Sequence, residues 1–148
     1  MQVKYSVGYA YPELVNHAFQ LRQQVFTHEQ GFPADIDVDE CDDNALHVVL
    51  YIDHTPVAVL RCILHPHKVI KVGRVAVLKQ HRGKGLGRKL MTFVEQYAKE
   101  HQFQSIELSA QHTAIAFYEA LGYHTQGDSY DEDGMAHIYM VLSWGCPR

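Results

Sequence analysis

Residues 80–89, "QHRGKGLGRK", hold three glycines and four basic residues, Arg82, Lys84, Arg88 and Lys89. They follow the apolar run "VGRVAVL" at 72–78 and precede "LMTFVEQYAKE" at 90–100. Leu86, Leu90, Phe93, Val94 and Tyr97 recur at helical spacing, which predicts a helix from about Gly85 to Glu100. Glycine and positive charge are thus concentrated where a strand hands over to a helix. A helix start has backbone N–H groups without partners and the positive end of the macrodipole. Glycines let the chain turn tightly and come close to a ligand. The combination predicts an anion pocket, with phosphate as the usual occupant.

Spacing narrows the phosphate. A Walker loop needs G-x-x-x-x-G-K-[ST], and no Gly-Lys here is followed by Ser or Thr. A dinucleotide fingerprint needs G-x-G-x-x-G, whereas Gly83, Gly85 and Gly87 give G-x-G-x-G. The acid expected about 20 residues on would be Glu107, inside the run "SIELSA". A nucleotide-dependent oxidoreductase is therefore a near miss.

Outward from the loop, β-rich runs lie at 46–52 ("LHVVLYI"), 57–65 ("VAVLRCILH") and 69–78 ("VIKVGRVAVL"). The turn composition "DHTP" makes the first two a hairpin. Upstream, "KYSVGYA" is a candidate strand, and Leu14, Ala18, Leu21, Val25 and Phe26 predict a helix from Pro12 to about Thr27. Downstream, "SIELSA" is a strand and "TAIAFYEAL" a helix stopped by Gly122. "GYHTQG" and "MAHIYMVL" are strands around a turn, "DSYDEDG". The order β-α-β-β-β-α-β-α-β-β predicts an α+β (α/β) sheet domain, and 148 residues suit one domain over 1–148.

Net charge is −4, which argues against a general nucleic-acid binder. No apolar run reaches the length of a membrane span, and the N-terminus lacks the apolar stretch of a signal peptide. Cys41, Cys62 and Cys146 are far apart and odd in number, which predicts free thiols in a reducing cytoplasm. Eleven histidines include one close pair, His65 and His67, without metal-site spacing, so no metal is expected. The stretch "DIDVDECDD" at 35–43 carries six acids. It fails as an EF-hand, with Glu40 where glycine is needed and Leu46 where glutamate is needed. Two readings stay open for it: a solvated loop, or electrostatic attraction of a cationic amine.

Read as Q-x-x-G-x-G, Gln80, Gly83 and Gly85 resemble the acetyl-CoA loop of the GNAT N-acetyltransferases. "QHTAIAFYEALGY" resembles that superfamily's second motif. Arg22, Val25, Phe26, Glu29, Gln30, Asp37 and His47 resemble the pattern of its YjcF/ElaA-like branch, so the likeness covers nearly the whole chain. It implies the GNAT fold, a mixed and mostly antiparallel central sheet flanked by helices and splayed where acetyl-CoA inserts. It implies acetyl-CoA as co-substrate, bound through Val75, Ala76, Val77, Gln80, Arg82, Gly83, Lys84, Gly85, Leu86, Gly87, Arg88, Gln111, Phe117 and Tyr118. The acceptor side would hold Arg22, Phe26, Glu29 and His47. One departure matters: many relatives carry a glutamate where this chain has Gly73.

The implied chemistry is N-acetyl transfer to a primary amine of a small molecule or peptide. A lysine-like amine has pKa ~10.4 and must lose a proton before it attacks. Glu29 is the first candidate base, followed by His47, Glu107 and His112. Backbone N–H groups near Val77 are candidates for the oxyanion, and Tyr118 is the candidate acid for the departing thiolate. A non-catalytic acyl-CoA-binding module is the alternative that Gly73 suggests. A homodimer is possible through an edge strand near the C-terminus.

Overall fold

The structure is a computed structural model that describes residues 1–31, 39–132 and 134–144. The chain runs β1 (Gln2–Val7), α1 (Pro12–Arg22), a π-helical segment (Gln23–Glu29), a 3-10 turn (Glu40–Asp43), β2 (Leu46–Ile52), β3 (Thr55–His65) and β4 (Val69–Val77). It continues through a 3-10 turn (Lys79–His81), α2 (Leu86–Glu100), β5 (Ser105–Gln111), a 3-10 turn (His112–Ala114), α3 (Ile115–Ala120), β6 (His124–Glu132) and β7 (Met135–Ser143). The strands form one sheet in the order β1-β2-β3-β4-β5-β7-β6. Among the described residues β4 and β5 are the one parallel pair, and every other neighbour is antiparallel.

Both faces of the central strands are covered, which explains why β2 reads as a continuous apolar run. Val48 and Leu50 pack toward α2 with Leu60, Ile70, Leu90, Val94 and Ile106. Val49 and Tyr51 point the other way, to Leu14, Ala18, Leu21 and Val25 of α1 and its extension. Burying an aliphatic side chain of this size contributes about 1.5–3 kcal/mol. Two faces of such residues therefore make the β2–β4 region the rigid part of the molecule.

A charged cluster ties Asp39–Asp43, the described residues just before β2, to this core. Asp42 has no exposed side-chain surface and accepts from Arg22 Nη1 at 2.9 Å and Nη2 at 3.2 Å. It also accepts from Arg61 Nη1 at 3.3 Å and from the Asp39 amide at 3.0 Å. His47 Nε2 donates to the Asp42 carbonyl at 2.9 Å, while its buried Nδ1 has no partner. Despite its burial the Asp42 carboxyl is held down at about 2, by the hydrogen bonds and charge of Arg22, the Asp39 amide and Arg61. Burial lowers the pKa of the His47 ring.

Three boundaries differ from expectation. The first helix is α-helical only to Arg22 and then widens to Glu29, with Gln30 N donating to Val25 O at 3.0 Å. A five-residue bond leaves no mark in apolar spacing, so sequence merges the two. The first strand is Gln2–Val7, ending before Gly8, whose positive φ of 57° turns the chain away. "DSYDEDG" is strand as far as Glu132 rather than turn. β6 is an edge strand exposed along its whole length, so no alternation announces it. Its register slips between Gln126 and Tyr130 at Gly127, which has φ 81°.

Candidate active site

The β4–β5 pair opens partway along its length. Parallel pairing runs from Val69↔Ser105 to Val72↔Leu108 and stops there. At that point β4 carries a bulge: Val59 faces Ala76 and Arg61 faces Gly73, so Arg74 and Val75 together oppose Leu60. Arg74 takes the left-handed φ of 53° that the extra residue requires. Beyond the bulge, β4 is paired only to β3, and Ser109–Gln111 of β5 are paired only to β7. Two strand edges thus face each other across a gap, with backbone donors and acceptors available to an extended ligand.

The gap opens into a cleft of about 1040 Å³ lined by Val75, Ala76 and Val77 of β4 and Ser109, Ala110 and Gln111 of β5. One end of the cleft is the glycine loop. Gly83 and Gly85 have φ of 80° and 78°, a conformation that L side chains rarely adopt, and a Cβ on either would meet nothing within 4 Å. The backbone there is bare and faces open space. Gly85 is also the N-cap of α2, and no side chain caps that helix. The first-turn amides are therefore left for an external acceptor, with Arg82 and Arg88 on the cleft wall. A Cβ on Gly87 would come 3.4 Å from Phe117 Cζ, so α3 stands within van der Waals reach of the loop. The residues fit a group that is anionic at one end and extended at the other.

Tyr118 sits at the meeting of α3 and the gap. It is buried, lines the cleft and packs edge-on against Phe117 at 5.0 Å and Tyr123 at 5.8 Å. Burial pushes its phenol up to about 12, so it stays protonated through the neutral range. The cleft therefore joins an anion cradle, a strand-like slot and a buried proton donor.

The acetyltransferase (GNAT) family model matches residues 13–123. The chain belongs to that family. Among GNAT relatives, the uncharacterized N-acetyltransferase YjcF of Bacillus subtilis is 32% identical over 130 residues, covering 87% of this chain and 92% of that protein. The crystal structure of Escherichia coli ElaA superposes with a TM-score of 0.82 at 26% identity, covering 95% of this chain and 99% of that one. An aminoglycoside 6'-N-acetyltransferase complexed with coenzyme A shares the fold, with a TM-score of 0.79 at 16% identity and full coverage of both chains. The protein is thus an acetyltransferase with the GNAT fold. No described helix is long and apolar enough to cross a membrane.

Several residues expected at the site stand elsewhere. Arg22 and His47, expected on the acceptor side, are wholly buried around Asp42 and line no part of the cleft. Asp37 lies outside the described residues. Gln80 and Lys84 flank the glycine loop without lining the cleft. Glu29, the expected base, receives a bidentate pair from Arg82, at 2.6 Å from Nη1 and 2.7 Å from Nη2. That hydrogen bonding lowers its carboxyl pKa, the wrong direction for a base. Arg82 itself also donates from Nε to Val77 O at 2.9 Å, so it braces the loop against β4. Of the other candidate bases, Glu107 accepts from the Tyr139 hydroxyl and His112 pairs with Ser129 Oγ at 2.8 Å. Neither lines the cleft, whereas Phe26, Gln111 and Phe117 do. Of the acidic run, Asp39 and Asp42 are paired with arginines and Glu40 and Asp43 are exposed, while residues 35–38 lie outside the described residues.

Among the cleft residues that sequence reading does not single out are Arg61, Lys71 and His137. Arg61 lies on β3, Lys71 on β4 and His137 on β7. Only the sheet order brings β3, β4 and β7 around one gap.

Proposed function

We propose that the protein transfers the acetyl group of acetyl-CoA to a primary amine of a small molecule or peptide, by direct attack in a ternary complex. The observation that carries this reading is the opening of β4 from β5 beyond Val72, with an uncapped helix start at one end and Tyr118 beside it. The pyrophosphate of coenzyme A fits the amides from Gly83 to Arg88, with Arg88 adding charge. The pantetheine arm runs along Val75–Val77 as a strand would. The acceptor enters from the face that carries Phe26, Arg61 and Lys71. Backbone N–H groups of β4 beyond the bulge meet the oxyanion, and Tyr118 donates its proton to the departing sulfur. The coenzyme A in the aminoglycoside acetyltransferase of the same fold supports the choice of co-substrate. Free Cys41 and Cys62 support a reducing, cytoplasmic setting.

A thermal-shift panel with acetyl-CoA, coenzyme A, NAD, NADPH and ATP tests the binding half. A ligand that binds only the native state raises the melting temperature. The expected result is a rise with acetyl-CoA and coenzyme A alone, lost in Gly85→Val, whose side chain is strained at φ 78°. An amine screen that follows thiol release tests the chemical half. Coenzyme A binding without turnover of any amine would favour an acyl-CoA-binding module, the reading that Gly73 suggests.

A further inference from the structure

The reading above leaves the acceptor amine without a base. Gly73 has no side chain to offer, and Glu29 is held by Arg82. Two histidines line the cleft among the described residues: His81, half-buried beside the glycine loop, and His137, which is enclosed. His137 lies on β7 opposite Gln111 of β5 and Tyr130 of β6, and it is only 7% exposed. Its Nδ1 stands 2.8 Å from the carbonyl oxygen of Met135. A carbonyl only accepts, so Nδ1 is the donor, and the neutral ring then keeps Nε2 bare. Nε2 lies 4.0 Å from Glu132 Oε2, too far for a hydrogen bond and near enough to steady a positive charge. Tyr130 stacks on the ring at 6.2 Å. The other charged side chains on the cleft wall are Arg61 of β3, Lys71 and Arg74 of β4, Arg82 and Arg88 at the glycine loop and Glu132 of β6, and His81 is the further imidazole there. Gln111 brings none from β5. A neutral acceptor nitrogen with a fixed tautomer, next to a carboxylate and enclosed in the transfer cleft, has the arrangement of a general base.

We propose that His137 Nε2 takes the proton of the acceptor amine, with Glu132 as a positioning residue that steadies the resulting imidazolium. The proposal rests on the transferase reading. In the step, the amine nitrogen bonds to the acetyl carbon as the carbon–sulfur bond breaks. One N–H proton passes to Nε2, and the Tyr118 hydroxyl proton passes to sulfur. The products are the N-acetyl amine and free coenzyme A, and water returns the proton from His137 to Tyr118.

Two measurements test this. Long-range proton–nitrogen NMR of the imidazoles, on the full chain saturated with coenzyme A, locates the ring proton of His137 without any amine. The expected result is a proton on Nδ1 and a bare Nε2; a proton on Nε2 overturns the proposal. The second measurement compares His137→Gln with wild type using the best amine from the screen. The expected result is an unchanged coenzyme A melting shift, a loss of about 10²–10⁴ in kcat/KM and disappearance of the acidic limb of the pH profile. A kcat/KM within about threefold of wild type, with that limb intact, overturns it, since general-base loss is far larger. His137→Asn, smaller and still able to donate to Met135 O, replaces the Gln variant if that one does not fold. Failure of wild type to bind coenzyme A sinks the transferase reading, and the same NMR measurement on the unliganded chain still decides the proton's place.

Discussion

Each oxygen of the Asp42 carboxylate accepts two donors: Oδ1 from Arg22 and Arg61, Oδ2 from Arg22 and the Asp39 amide. An asparagine has one acceptor oxygen. Whichever way Asp42→Asn turns, its NH₂ points at two donors, and the fully buried Arg22 loses one buried carboxylate partner. Removing one partner of such a buried pair costs about 3–5 kcal/mol. A domain holds about 5–15 kcal/mol in all, so the variant should be close to the edge of folding. For a chain of this size the melting temperature should drop by roughly 6–20 °C. The ionisation of the carboxyl gives an independent figure. A group held at about 2 against an ordinary 3.8 contributes about 2 kcal/mol at neutral pH. Because the folded pKa is the lower one, that contribution is complete above 3.8 and is lost as pH falls toward about 2. The gap between wild type and Asp42→Asn should therefore be largest at neutral pH and should narrow through that window. Urea unfolding at pH 7.5, repeated at acid pH, measures both. A variant within about 1 kcal/mol of wild type at pH 7.5, the range of ordinary surface substitutions and exposed ion pairs, would refute the claim that Asp42 holds this segment to the core.

Two further predictions concern the cleft. Tyr118→Phe should keep the coenzyme A melting shift and lower turnover by about 10²-fold, the low end for a lost proton donor. With the phenol pushed up to about 12, no limb of the wild-type profile below pH 10 should belong to it, and pH–rate profiles of both proteins check this. Glu29→Gln should leave the melting temperature and amine turnover close to wild type, because the Glu29–Arg82 pair is exposed at the loop edge. A large loss of kcat with a displaced acidic limb would restore Glu29 as the base.

What sequence could reveal was set by how local the signal is. The glycine loop was legible because its cause is local: positive φ at Gly83 and Gly85 and an uncapped helix lie within a few residues of one another. The three strands before it were legible because each alternates or is apolar throughout. The part of β6 beyond Gly127 is not legible, since an edge strand has no buried face and its polar residues look like a turn. Among the site residues, Phe117 and Tyr118 were found through a motif whose spacing is fixed by one short helix. Arg22 and His47 were picked out by the same kind of pattern and assigned to the acceptor, yet they meet over Asp42 in the interior. A sequence pattern marks residues that belong together without saying whether a ligand or the core is what they share. Burial decides that, and burial of a charge is invisible until its partner is placed. His137 shows the reverse case. Nothing near it in sequence distinguishes it from ten other histidines, and its neighbours Gln111 and Tyr130 come from two other strands. Only the pairing of β5 with β7, which sets a C-terminal strand beside the gap in the middle of the sheet, gives that imidazole a place where a proton can be moved.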